Sequence, residues 1–214
     1  DRLVFDLKLP RPGLAGDIRN ISARVAATPR GWSFTASADS SAGAIAADGL
    51  VLTGSGPLTV ELTRLTGADL TAQGRLVQTP TGPFAGTLAV TGRGIDGNAV
   101  LSAVGGGQHA EIRLDINKAV LPLATPVAIA RGTATASIQL AAGDGPPEVR
   151  GEFALTDLDR GTTRIANARG KLAYARGIGS ADLTFNGDAG ATFAGTIGAQ
   201  LTPDRVTING TGNI

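Results

Sequence analysis

The sequence predicts an all-β protein built as a long antiparallel meander. Three observations carry this. Apolar and polar residues alternate with period two along most of the chain. Glycine, proline, asparagine and aspartate interrupt the alternation every ten residues or so. No segment of helical length places apolar residues at the three- and four-residue spacing that a buried helix face needs.

The alternation begins at once. Leu3, Phe5, Leu7 and Leu9 share one face, opposite Val4, Asp6 and Lys8. Trp32, Phe34, Ala36 and Ala38 alternate with Ser33, Thr35, Ser37 and Asp39. Further on, Ile112, Leu114 and Ile116 alternate with Glu111, Arg113 and Asp115. Val149, Gly151, Phe153 and Leu155 then alternate with Arg150, Glu152, Ala154 and Thr156. Each run reads as a strand with one buried face and one wet face. Between the runs lie Pro29-Arg30-Gly31, Gly54-Ser55-Gly56-Pro57, Thr81-Gly82-Pro83, Gly105-Gly106-Gly107, Gly143-Asp144-Gly145-Pro146-Pro147, Asn186-Gly187-Asp188 and Pro203-Asp204. These are turn chemistries, and they divide the chain into about 14 strands. Residues 117–130 are the main irregular stretch and are expected as a crossing loop or short helix. The chain is otherwise expected as one continuous unit, 1–214, cut from or processed out of a longer protein.

Composition removes several function classes. The 214 residues include no cysteine, no methionine and a single histidine. No disulfide framework, thiol chemistry or Cys- or His-rich metal site is available. The net charge of +1 is far from that of a dedicated nucleic-acid binder. The apolar stretch from Ala119 to Ala130 contains Pro122 and Pro126 and is too short to cross a bilayer.

The chemical motifs are weak. Gly92-Arg93-Gly94-Ile95-Asp96-Gly97 matches the dinucleotide fingerprint, which binds phosphates only between a strand and a helix. Here another strand-like run follows, from Asn98 to Val104. His109 has no nucleophile elbow to serve and reads as an exposed strand-edge residue. Asp157 and Asp159 have the spacing of a loop more than of a calcium site or a glycosidase pair. Basic residues are 16 arginines and 3 lysines, scattered without a run, and read as solvated faces and loop ends. The chain is expected not to be an enzyme and to need no cofactor.

The would-be buried faces are rich in alanine and glycine. A sandwich keeps its two sheets about 10 Å apart and fills the gap with bulky side chains. A single curled sheet can leave its apolar face open, or cover it with something that is not protein. The aromatic residues, nearly all on apolar faces, suit either ordinary core packing or a ligand groove. Phe84-Ala85-Gly86-Thr87-Leu88-Ala89 is echoed by Phe193-Ala194-Gly195-Thr196-Ile197-Gly198, as a repeated hairpin would be.

The runs Arg24-Val25-Ala26-Ala27-Thr28-Pro29-Arg30-Gly31-Trp32-Ser33-Phe34-Thr35-Ala36 and Gly74-Arg75-Leu76-Val77-Gln78-Thr79-Pro80-Thr81-Gly82-Pro83-Phe84-Ala85-Gly86-Thr87-Leu88 resemble AsmA-like proteins of alphaproteobacterial type, notably the YdbH and TamB-type members. Arg131-Gly132-Thr133-Ala134-Thr135-Ala136 and Gly179-Ser180-Ala181-Asp182-Leu183 have the same texture. The resemblance implies a β-groove segment of an inner-membrane-anchored bridge in the periplasm. It implies passive phospholipid transport towards the outer membrane, in the service of outer-membrane biogenesis, with membrane partners engaged through the full-length protein. On that reading the lipid-binding residues are Trp32, Phe34, Phe84, Leu88, Ile112, Leu114, Phe153, Leu155, Phe185, Phe193 and Ile197, touching phospholipid acyl chains. No catalytic residue, metal, cofactor or nucleic acid is implied. Two other readings fit an all-β chain: an assembly factor that pairs outer-membrane proteins with a free sheet edge, and a segment of a secreted β-solenoid or adhesin.

Overall fold

A computed structural model describes residues 2–4, 19–40, 43–67, 69–121, 126–142, 147–176, 178–187, 192–202 and 205–213; of residues 2–4 and 192–213 it describes the backbone path alone. The strands are β1 (Arg2–Val4), β2 (Arg19–Thr28), β3 (Gly31–Ser40), β4 (Gly43–Leu52), β5 (Thr59–Gly67), β6 (Leu70–Gln78), β7 (Phe84–Gly92), β8 (Ile95–Val104), β9 (Gly107–Leu121), β10 (Val127–Leu140), β11 (Glu148–Arg160), β12 (Thr163–Ala175), β13 (Ile178–Gly187), β14 (Thr192–Thr202) and β15 (Arg205–Asn213). They form one 15-stranded antiparallel sheet in sequence order. The sheet is curled and does not close into a barrel. Each strand packs chiefly against its two neighbours in the chain, and among the described residues no separate sheet or helix is laid over either face.

Directly opposed residues in an antiparallel ladder share a face. Following the register therefore sorts the sheet into two surfaces. One continuous row reads Phe34, Gly49, Leu62, Gly74, Leu88, Ala99, Ile112, Ala136, Gly151, Leu172, Ala181, Ile197. All twelve members are apolar or glycine. On the opposite face a row reads Asn98, Arg113, Thr135, Glu152, Lys171, Asp182. Its alternating charges suit cross-strand pairing and water. The binary pattern of the sequence is thus resolved into one greasy surface and one wet surface across the sheet.

The glycines explain how one layer carries large side chains. A Cβ added at Gly49 would lie 2.7 Å from Cζ of Phe34, and one at Gly170 would lie 2.6 Å from Cε1 of Phe153 and 2.7 Å from Cδ2 of Leu183. The rings and the leucine lie sideways over the glycine of the next strand, so contact area is found within the layer. Gly170→Val would lift Phe153 off the sheet. It is expected to lower stability by roughly 1–3 kcal/mol, read from the urea midpoint.

The turns follow the sequence signals. Arg93 and Gly94 join β7 to β8 with φ of 46° and 76°, the left-handed pair of a tight hairpin turn. The Gly-rich fingerprint is therefore a strand–turn–strand and not a phosphate-binding strand–helix junction. The stretch 117–130, expected as irregular, is instead strand at both ends. Ala119 opposes Ile129 and Leu121 opposes Val127 in a hairpin. Residues 122–125 between them lie outside the described residues.

The irregularity in this region is of another kind. On β9 to β12 the apolar face is held by Ile116, Gly132, Leu155 and Ala168, then by Ala119, Ile129, Leu158 and Ile165. Each strand skips two residues between them: Asn117-Lys118, Ala130-Arg131, Thr156-Asp157 and Ala166-Asn167. Lys118 and Asp157 have φ of 55° and 50°, and the β12–β13 register shifts between Ile165 and Asn167. These dislocations align across four strands as a crease, as bulges do where a sheet must bend. The same eight residues line a polar furrow of about 600 Å³. The crease continues the sheet margin set by the β7–β8 turn, because the Asn117 amide donates to the Gly94 carbonyl at 2.7 Å. The strands that cross it are 13–15 residues long, against 9–10 for β2 to β8.

Candidate functional site

The candidate site is the apolar face itself. Register places all eleven residues proposed from the sequence on it. Phe34, Leu88, Ile112 and Ile197 belong to the row given above. Trp32 heads the adjacent row, Trp32, Val51, Val60, Leu76, Gly86, Leu101. Phe84 lies two residues before Gly86 on β7 and so shares its face. Leu114 and Phe153 flank Ala134. Leu155, Ala168, Phe185 and Phe193 form a fourth row. The side chains of Phe193 and Ile197 lie outside the described residues, so for these two only the register is stated.

Exposure divides the set. Trp32 is 48% exposed, while Phe34, Phe84, Ile112, Leu114, Phe153, Leu155 and Phe185 are half-buried and Leu88 is buried. Sandwich-core residues would be buried outright. Only six apolar residues are buried among those described, and none of the large ones is completely enclosed. Ordinary core packing, the first of the two readings open for the aromatics, therefore does not describe most of this face.

Sequence reasoning missed much of the same surface. Val51, Val60, Leu62, Leu65, Leu76, Val90, Leu101, Val149, Leu172, Tyr174 and Leu183 also lie on it. Leu172 is 41% exposed. The signal was present as alternation within β5, β6, β8 and β12. It was diluted by glycine and alanine partners, and on β5 by a bulge that puts both Leu62 and Leu65 on the apolar side.

The polar face holds the groups that could have been catalytic. His109 is not an exposed edge residue. Its ring is largely shielded, with Nε2 2.8 Å from Oε1 of Glu111 and Nδ1 3.1 Å from Oε1 of Gln139. Both ring nitrogens thus face acceptor oxygens in the plane of the sheet surface. The hydrogen bond from His109 is the main reason that the Glu111 carboxyl is held below its usual 4.5, and the Ser137 hydroxyl adds to it. A carboxylate with a lowered folded-state pKa contributes stability above its unfolded pKa and loses it as pH falls through the folded one. His109→Phe is expected to move the Glu111 titration up towards 4.5, observed by NMR of its side-chain carboxyl carbon.

Asp157 and Asp159 do not form an open carboxylate pair. Arg164 lies 3.6 Å from the first and 3.8 Å from the second. Among the described residues no cluster of three potential metal ligands occurs.

No known protein family, curated protein or solved structure matches the chain. The reading of its function rests on the geometry of the face.

Proposed function

We propose that this chain is a segment of a periplasmic hydrophobic conduit that passes phospholipids between the inner and outer membranes, within an inner-membrane-anchored protein. The observation that carries the reading is the uninterrupted apolar row from Phe34 to Ile197, lying on a face over which no separate sheet or helix is laid among the described residues. A surface of this size must be covered in water, and its continuity across the strands suits a guest that slides.

The energetics give the face a purpose. Exposing one buried CH₂ to water costs about 0.8 kcal/mol, so two 16-carbon chains cost on the order of 25 kcal/mol. An apolar track one sheet wide removes most of that barrier while the headgroup stays at the wet margin. Strands spaced about 4.8 Å apart give a 15-stranded sheet roughly 70 Å of track, a section of a bridge. Leucine and phenylalanine side chains lying over glycines make the surface smooth, which favours movement over tight seating. No reacting group takes part, so neither enzyme chemistry nor a cofactor enters the proposal.

The open sheet offers the free edge that the assembly-factor reading needs, but an edge does not account for the continuous apolar face. The strands form an antiparallel meander, not the stacked parallel rungs of a solenoid. Solvent extraction of protein purified without detergent, followed by mass spectrometry, is expected to release phospholipid. Protein that carries none, and takes up none from vesicles, would contradict the proposal.

A further inference from the structure

The crease has a second side. On the apolar face beyond it lie Ala119, Ile129, Leu158 and Ile165. Ile129 is 2% exposed and Ala119 1%, in a sheet whose other large apolar residues are mostly half-open. Ile129, Leu158 and Ala168 form a buried cluster against which Phe153, Leu155 and Phe185 pack. Leu62 and Leu76 on the same face stay half-buried and Leu172 is exposed, so the depth of Ile129 is what a bend of the β9 to β12 ends towards that face would give.

We infer that residues 119–121, 126–129 and 158–165 form a flap, hinged at the crease, that lies over the apolar face beside Phe153, Leu155 and Phe185. The inference rests on the conduit reading, and it identifies one stretch of the track as closed by the protein itself. An acyl chain that touches these three residues must displace the flap; on β3 to β8 no such cover exists among the described residues.

The hinge has the chemistry for movement. Lys118 and Asp157 already occupy the left-handed region, which costs a non-glycine residue free energy and concentrates where a chain changes direction. The furrow on the polar side, lined by Asn117, Lys118, Arg131, Thr156, Asp157 and Asn167, leaves open room for the bend to change. On the apolar side the closed state is held by hydrophobic contact alone, which acyl chains replace in kind.

The absence of cysteine makes the test direct. Val100, on β8, and Val120, on the flap, are both exposed on the surface. Spin labels on the double variant Val100→Cys, Val120→Cys report their separation by pulsed EPR. Lipid-free protein is expected to give one narrow distance distribution. Loading with phosphatidylcholine vesicles should shift it by several ångströms. In the same background Ile129→Ala, which removes a contact that holds the flap down, should broaden the distribution without lipid. If extraction proves that lipid is bound and the distance is unmoved, the flap is a fixed wall and the inference falls while the conduit stands. If no lipid binds, both fall. If Ile129→Ala leaves a narrow distribution, the buried cluster is not the latch and the inference is overturned.

Discussion

Leu172→Asp should reduce phospholipid loading at least tenfold while leaving the sheet folded. Leu172 belongs to the continuous apolar row, between Gly151 and Ala181, and is 41% exposed. In lipid-free protein the new carboxylate stays hydrated, so its effect on stability is small. With a guest on the track, the same group must be stripped of water against hydrocarbon. Leaving a polar group unpaired in such surroundings costs roughly 2–7 kcal/mol, and an ionised one more. Quantifying extracted phospholipid per mole of protein, beside a circular dichroism melt, separates the two effects. A substitution on the polar face, such as Thr135→Asp, should change neither.

Ile129→Asp should do the reverse, and damage the fold itself. This side chain is 2% exposed and is surrounded by Leu158, Ala168 and their apolar neighbours. The loss combines a cavity with an unpaired buried carboxylate, together roughly 3–5 kcal/mol. The urea midpoint should fall sharply at neutral pH and recover in part below pH 4, where the carboxyl is protonated. The contrast between Ile129 and Leu172, both aliphatic residues on one face, measures how differently the protein covers the two parts of that face.

Period two was legible because it is set by local chemistry. Trp32 and Phe34 against Ser33 and Thr35, or Ile112 and Leu114 against Glu111 and Arg113, fix a face without knowledge of any neighbour. Turn residues fixed the hairpins for the same reason. The face shared by all eleven proposed residues follows from alternation plus short turns between neighbouring strands. What the sequence hid depends on contacts between strands. Gly49 and Gly170 look like weak points in a strand until Phe34 and Phe153 are seen to lie across them. The crease was hidden because nothing marks Lys118 or Asp157 as left-handed; each is an ordinary polar residue in a polar position. Residues 117–130 looked irregular because Pro122 and Pro126 interrupt the pattern, whereas the departure that matters is the pleat dislocation at Lys118 itself. His109 read as exposed because its partners Glu111 and Gln139 come together only in the folded sheet, Gln139 from the adjacent strand.

The chain has one tryptophan, and it stands on the apolar face, half-exposed, at the start of β3. Phospholipid brominated along its acyl chains quenches indole fluorescence only at contact distance. Titrating such vesicles into the detergent-free protein should quench Trp32 strongly and saturably, and unbrominated lipid of the same headgroup should reverse the effect by competition. Emission that is unchanged by brominated acyl chains, while a water-soluble quencher still reaches the indole, would mean that hydrocarbon does not occupy this face.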